Sequence, residues 1–454
     1  MAAVTLPSKT DLAQFWVGKD MTDVPKPAAV LDRAIVRRHC QRMQNTVKAL
    51  SVGFRAHVKT HKTVELAAMQ IDDTAPTANF IASTLLEIET LTSLLKSLQS
   101  KGHRINVLYG IPLVPSTVPH LAHLAKDLGP DSISVMIDHP DQVPFLTNFA
   151  SVAGFPACVF VKVDTGYHRA GLPPVSLNKN GLLEKLASAE QSGSAHLIGL
   201  YSHSSLSYSA TTAEQAMGHL ISEIQGCKDA LNRWLPLLPK RELVISVGAT
   251  PQVASSNNLV LGAISPKAEE LMALLRDPCA GAQVKIELHA GNYPVLDMQQ
   301  VSTNARIGAG RLEEEIALCV VAEVCSVYND GERERAEALL AAGTLALGRE
   351  PCPSYSGWGV LSDWGLKSQD RLIVERISQE HAIVAWDGGK EGNIPLEVGQ
   401  IVKVFPNHAC VTGAYYGWYF IVDSDKDPSA SKIVDVWIRG RGENTDPMTA
   451  TRFQ

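Results

Sequence analysis

The chain has 454 residues, 41 Lys and Arg against 47 Asp and Glu, a formal net charge of -6, and 45% hydrophobic residues. That length exceeds one ordinary core and predicts two domains, or a large barrel with an appendage. The mild acidity, with no basic block to track phosphates, argues against a nucleic-acid partner. No apolar run is long enough to span a bilayer, and residues 1–20 lack the basic-then-apolar layout of a signal peptide. A cytoplasmic protein with no membrane partner is therefore expected. Eight cysteines (Cys40, Cys158, Cys227, Cys279, Cys319, Cys325, Cys352 and Cys410) include no Cys-x-x-Cys pair, which reads as buried thiols rather than a disulfide framework.

In chain order, residues 1–26 form an N-terminal segment able to pack on a β domain. A short apolar run, Pro27-Ala28-Ala29-Val30-Leu31, fits either a barrel's rim or another sheet. Eight β-rich runs follow, at residues 54–61, 79–84, 105–110, 133–138, 157–166, 196–203, 243–250 and 284–292. Most precede a segment of helical periodicity, such as residues 85–98 and 212–231. This alternation predicts an α/β chain whose residues 27–304 form a (β/α)8 TIM-like barrel. A doubly wound sheet is disfavoured because no Gly-x-Gly-x-x-Gly turn follows the first strand. An extra helix at residues 266–276 is a decoration of the barrel or a lid; decoration is favoured. Beyond residue 305 the pattern changes to runs at 316–327, 371–377, 382–386, 400–405, 418–422 and 432–439, joined by turns such as Asp387-Gly388-Gly389. Residues 305–454 are therefore expected to be a mainly β domain.

A barrel places its chemistry at the carboxyl ends of its strands. Those ends carry Lys59, Thr84, Tyr109, Asp138, Asp164, Tyr201-Ser202-His203, Ser246-Val247-Gly248-Ala249-Thr250 and His289-Ala290-Gly291-Asn292-Tyr293. Helix capping explains many of the Asp, Ser and Thr residues without any function. Lys59, in Arg55-Ala56-His57-Val58-Lys59-Thr60-His61-Lys62, is a reactive-amine candidate; alternatively Lys59 and Lys62 form a small anion-binding patch. The two glycine-bearing turns fall after the seventh and eighth strands, where barrels commonly hold a phosphate. A lysine across from a phosphate cradle points to pyridoxal 5'-phosphate, with the aldehyde on the amine and the phosphate in the turns. Farther on, Asn407-His408-Ala409-Cys410 reads as an extended segment with His408 and Cys410 on one face. That pair could share a metal ion, or be an ordinary buried His and Cys.

These elements, with Lys162-Val163-Asp164-Thr165-Gly166-Tyr167-His168-Arg169-Ala170-Gly171 and Gly199-Leu200-Tyr201-Ser202-His203, occur in an order that resembles the D-serine dehydratase and D-threonine aldolase family. These are fold-type III pyridoxal-phosphate enzymes related to alanine racemase, and the likeness runs through nearly the whole chain. The resemblance implies Lys59 as Schiff-base lysine, Thr250, Gly291 and Asn292 on the cofactor phosphate, Tyr201 and Tyr208 against the cofactor, and zinc on His408 and Cys410. Cys410 stands where the aldolases tend to have an acidic residue, which favours the dehydratase branch. Ala56 replaces a proline common in the family's element, and the aromatic Tyr415 to Tyr419 stretch is assigned to neither branch.

The implied activity is that of a pyridoxal-phosphate-dependent ammonia-lyase acting on D-serine, giving pyruvate and ammonia. Lys59, its pKa lowered in a desolvated pocket, would remove the Cα proton, and zinc would stabilise the leaving β-hydroxyl. A homodimer is expected, because related folds complete the site across a subunit interface. The alternatives are D-threonine aldolase or D-threo-3-hydroxyaspartate dehydratase chemistry on the same scaffold, or a pyridoxal-phosphate carrier without turnover.

Overall fold

A run of five residues, Ala28–Asp32, all buried, decides where the first part of the chain belongs. In the computed structural model, which describes residues 7–262, 264–276, 283–364 and 370–440, this strand (β1) joins a large, mostly antiparallel sheet and not the barrel. The chain divides into two compact units. One comprises residues 41–291 and 303–307; the other comprises residues 1–40, 292–302 and 308–454. The expected boundaries at 27 and 304 are thus corrected, because β1 finds its hydrogen-bond partners in the second unit.

The first unit is a closed barrel of eight parallel strands, β2 (Gly53–His57), β3 (Thr77–Ala82), β4 (Arg104–Pro112), β5 (Ile133–Ile137), β6 (Ala157–Lys162), β7 (Ala195–Tyr201), β8 (Leu243–Val247) and β9 (Val284–Ala290). β9 returns to pair with β2, His289 opposite Arg55. Strands covered on both faces read as continuous apolar runs, and β5 and β6 are buried at every position. Most observed strands stop short of the expected runs, because the polar residues at the carboxyl ends turn into loops and helix caps. Thr84 caps the helix Leu85–Ser100 by accepting the Glu87 N–H at 3.2 Å, while Glu87 accepts the Ser83 N–H at 2.7 Å. The helix at Pro266–Arg276 lies where the sequence placed it and buries Ala268, Leu271 and Leu275, the face of a decoration.

Inside the barrel an apolar layer (Ile81, Leu108, Met136, Phe160 and Tyr201) adjoins a belt of polar side chains from six strands. Arg55 Nε donates to Glu287 Oε1 at 2.7 Å, Arg55 Nη1 to Asn106 Oδ1 at 2.7 Å, and Asn79 Nδ2 to Glu287 Oε2 at 2.8 Å. Asn106 exchanges hydrogen bonds with Ser134, and Ser246 Oγ donates to Glu287 Oε1 at 2.9 Å. Burying Arg55 and Glu287 is tolerable only because each is paired and hydrogen-bonded.

The second unit is a nine-stranded sheet. Its later strands are β10 (Leu318–Tyr328), β11 (Glu337–Leu340), β12 (Gly359–Leu361), β13 (Leu372–Ile377), β14 (Ala382–Trp386), β15 (Ile401–Pro406), β16 (Trp418–Val422) and β17 (Asp435–Ile438). Their order is β11-β14-β13-β12-β15-β10-β1-β16-β17, with β10 also pairing β11. Alternation along β10 divides two cores: Val320, Ala322 and Val324 enter one, Cys319 and Val321 the other. Leu12, Met21 and Val24 of the N-terminal segment complete the second core. β11 and β12, of four and three residues, were not expected from periodicity; strands so short carry too little alternation to register. The described cysteines are unbridged, and Cys279 lies outside the described residues. Among the described residues no helix is long and apolar enough to cross a membrane.

Candidate active site

Lys59 lies two residues beyond the end of β2, in a turn, rather than at the end of a strand running to residue 61. The turn is pinned from several sides. His57 Nδ1 accepts the Lys59 N–H at 3.3 Å, the Lys62 N–H donates to the Val58 carbonyl at 2.8 Å, and His61 Nδ1 accepts the Thr63 N–H at 3.1 Å. Lys62 Nζ pairs with the buried Glu87 at 3.0 Å. The charge of Lys59 bears instead on His57 and His203. The two lysines therefore sit in different electrostatic surroundings.

Three imidazoles surround the barrel mouth, His289 buried and His57 and His203 half-buried, and their partners select their tautomers. His57 accepts at Nδ1, so in its neutral form it carries its proton on Nε2, which lies 3.4 Å from Ser83 Oγ. His203 Nδ1 lies 2.6 Å from the Gly248 carbonyl, which can only accept, so His203 carries its proton on Nδ1. His289 Nδ1 lies 3.1 Å from Ser246 Oγ, and its ring stacks on Tyr201 with centroids 4.5 Å apart and planes 3° from parallel. Burial, and then the Lys59 charge, pull His57 well below the usual imidazole range; burial, and then the other two histidines, do the same to His289. His203 is lowered to about 3, by burial first and then by Lys59, Arg169 and Lys162. In each case the shift favours the neutral ring.

Beneath Tyr201 lies a second cluster that the sequence reading did not single out. Glu223, in the helix Ala213–Trp234, accepts from Ser202 Oγ at 2.9 Å and from Gln252 Nε2, and burial raises it to about 7. Lys162, the last residue of β6, has Nζ 4.8 Å from the Tyr201 ring centroid. Burial, and then Arg169, lower Lys162 to about 8, while Glu223 and Asp138 pull it back. One signal was available for Glu223: it is an acid among Leu220, Ile224 and Cys227, all at helical spacing and all buried. Asp138 and Asp164 have structural work: Asp138 accepts the Gly171 N–H at 2.9 Å, and Asp164 accepts the N–H groups of Gly166 and His168, each at 3.0 Å.

Both glycine-bearing turns are present, but the glycines answer first to protein packing. Gly248 has φ +148°, and a Cβ there would strike the His289 carbonyl. A Cβ on Gly291 would come within 3.1 Å of the His57 Cβ. Thr250 is buried and opens the short helix Thr250–Ser255. Tyr201 is part of the barrel's interior layer, and Tyr208 lies half-buried in the turn Ser205–Ser209.

In the β unit the expectation of an extended His-x-Cys is corrected. β15 ends at Pro406; His408 is the N-cap of the helix Ala409–Ala414, and Cys410 lies in its first turn. The two residues remain near enough for Cys410 to act on the His408 imidazole. Burial lowers His408, but Cys410, then Asp297 and Glu350, outweigh it and raise the imidazole to about 9. Asp297 Oδ2 accepts both Asn292 Nδ2 at 2.5 Å and the Ala409 N–H at 2.7 Å, so one buried carboxylate joins Asn292 to the start of the His408–Cys410 turn.

A primary amine, flanking cations Arg169 and Lys162, a buried hydroxyl at Thr250 and a buried acceptor at His289 Nε2 form a donor and acceptor set that fits an aldehyde-bearing, phosphorylated pyridine. An imidazole beside a thiol suits zinc, and among the described residues no third His, Cys, Asp or Glu completes a three-ligand group.

Comparison with known proteins agrees with the division into a barrel and a β domain. Residues 31–255 match the family described as alanine racemase, N-terminal domain, and residues 317–422 match the putative serine dehydratase domain. A D-serine dehydratase of Schizosaccharomyces pombe is 34% identical over 96% of both chains, and one of Saccharomyces cerevisiae 31% identical over 94% of this chain and 99% of its own. In fold, the chain is similar to the D-threo-3-hydroxyaspartate dehydratase from Delftia sp. HT23, with TM-score 0.73 and 24% identity, covering 93% of this chain and 99% of that one.

Proposed function

Because the chain belongs to the D-serine dehydratase family, built on an alanine racemase-like barrel and a mainly β domain, we propose that it is a pyridoxal-phosphate- and zinc-dependent ammonia-lyase converting D-serine to pyruvate and ammonia. The observation that carries the reading is the full-length likeness to D-serine dehydratases, extending through both units.

Lys59 would hold the cofactor's aldehyde carbon, with Thr250, Gly291 and Asn292 on its phosphate and Tyr201 and Tyr208 beside it. Once bound, pyridoxal phosphate supplies an electron sink that acidifies the substrate's Cα–H. Lys59 then takes the Cα proton at Nζ; its turn, fixed by His57, His61 and the Lys62–Glu87 pair, holds that amine in place. Neutral His57 and His203 place no cation beside the amine that would compete for anionic groups. His408 and Cys410 would hold zinc, which supplies Lewis acidity to the β-hydroxyl as it leaves. Water leaves, water returns in hydrolysis, and no oxidant or reductant is needed. The chain is read as a cytoplasmic homodimer.

The test is incubation of the purified protein with D-serine, D-threonine and D-threo-3-hydroxyaspartate, with and without chelator, with assay of the 2-oxo acid. Fastest oxo-acid formation from D-serine, lost on chelation and restored by zinc, is expected. Glycine and aldehyde as products would assign an aldolase instead. Oxo-acid formation insensitive to chelation would remove zinc from the mechanism, and bound cofactor without turnover would indicate a carrier.

A further inference from the structure

Glu287 is ion-paired with Arg55 and accepts from Asn79, so its carboxylate can only accept. Ser246 Oγ has one proton and two neighbours, Glu287 Oε1 at 2.9 Å and His289 Nδ1 at 3.1 Å. A hydroxyl gives its proton to a carboxylate in preference to a neutral imidazole, because the charge-assisted bond is the stronger. Ser246 must therefore accept a hydrogen bond from the His289 Nδ1–H. In a neutral imidazole that leaves Nε2 as a bare lone pair. Nε2 is fully buried and has no hydrogen-bond partner among the described residues, in a side chain only 1% exposed. Buried acceptors are nearly always satisfied, so this atom awaits a donor.

We propose that His289 Nε2 accepts a hydrogen bond from the protonated ring nitrogen of bound pyridoxal phosphate, and that the relay Glu287–Ser246–His289 exists to hold that imidazole in the accepting tautomer. The inference rests on the cofactor assignment made above. Three observations support it. Of the cofactor's polar atoms away from the Lys59 linkage and the phosphate, the ring nitrogen is the one that can present an N–H donor. His289 belongs to β9, two residues before Gly291, and pairs in register with Arg55 of β2, four residues before Lys59, so both proposed anchors follow the ends of the two strands that His289 and Arg55 join. Burial holds its own basicity well below the usual imidazole range, so it meets the ring nitrogen as a neutral acceptor. His289 thus acts as a positioning residue: it keeps a proton at the ring nitrogen, where positive charge strengthens electron withdrawal.

The test uses the full-length protein reconstituted with pyridoxal phosphate labelled with 15N in the ring. Borohydride trapping and peptide mapping first establish whether the label sits on Lys59; a label elsewhere sinks the cofactor assignment itself. With the label on Lys59, the 15N resonance of the parent protein at neutral pH is expected at the pyridinium position, defined by free cofactor in acid. In His289→Phe, which keeps a ring against Tyr201 but removes the acceptor, it should move to the bare-pyridine position, and His289→Gln, with an acceptor carbonyl, should move it back part of the way. Should His289→Phe fail to fold by circular dichroism, Ser246→Ala serves, because it releases the tautomer and should lower the protonated fraction. A bare-pyridine signal in the parent protein, or a pyridinium signal unmoved by these changes, overturns the proposal while leaving Lys59 as anchor.

Discussion

Glu223→Gln isolates the electrostatics of the cluster beneath Tyr201. The native carboxyl is raised from 4.5 to about 7, chiefly by burial. Between those values the folded chain keeps a proton that the unfolded chain has released, so stability falls as pH rises through the window. At about 1.4 kcal/mol per pKa unit, the loss contributed by this group approaches about 3 kcal/mol above pH 7. Gln removes the titration and can reuse the hydrogen bonds. Its carbonyl can accept from Gln252, and its amide can donate to Ser202, whose hydroxyl can turn to Thr165 Oγ1 at 2.9 Å. The substitution is therefore expected to be more favourable, relative to the parent, by about 3 kcal/mol at pH 8 than at pH 4.5. Urea unfolding of both proteins between these pH values reads the difference directly. Parallel stability–pH curves would show that Glu223 is not a raised, buried acid, and the reasoning from its burial would fail.

Lys59→Ala should abolish the yellow cofactor absorbance and lower 2-oxo acid formation by about 10² to 10⁴-fold or more, while the circular dichroism melt moves little. Arg55→Met leaves Glu287 buried without its ion-pair partner and should cost about 3 to 5 kcal/mol in urea unfolding; adding Glu287→Leu should recover much of it, because the desolvated charge is then gone. Asp297→Ala removes the acceptor shared by Asn292 and the Ala409 N–H and the cap of residue Gln300. A loss of about 2 to 4 kcal/mol is expected in the melt, together with weaker retention of both zinc, by metal analysis, and cofactor phosphate, by dialysis.

Much of this protein was legible before folding. Apolar runs alternating with amphipathic helices specify a parallel barrel wherever strands must be buried on both faces, and the change of period after residue 305 marks the β unit. The helix Pro266–Arg276 and the strands Ala382–Trp386 and Trp418–Val422 fall where local pattern put them. Lys59 and the His408–Cys410 pair stood out as candidates because the chemistry proposed for them is carried within a few residues of sequence. Pairing is not a local property, and only the tertiary structure decided it. β1 was ambiguous until Ala28–Leu31 met Leu318–Val321. The tautomer of His289 depends on Ser246 and Glu287, and the protonation of Glu223 on burial by strands remote in the chain. Sequence determines which side chains can bear charge or donate a proton; whether they do is set by the partners and the solvent that folding brings to them or removes.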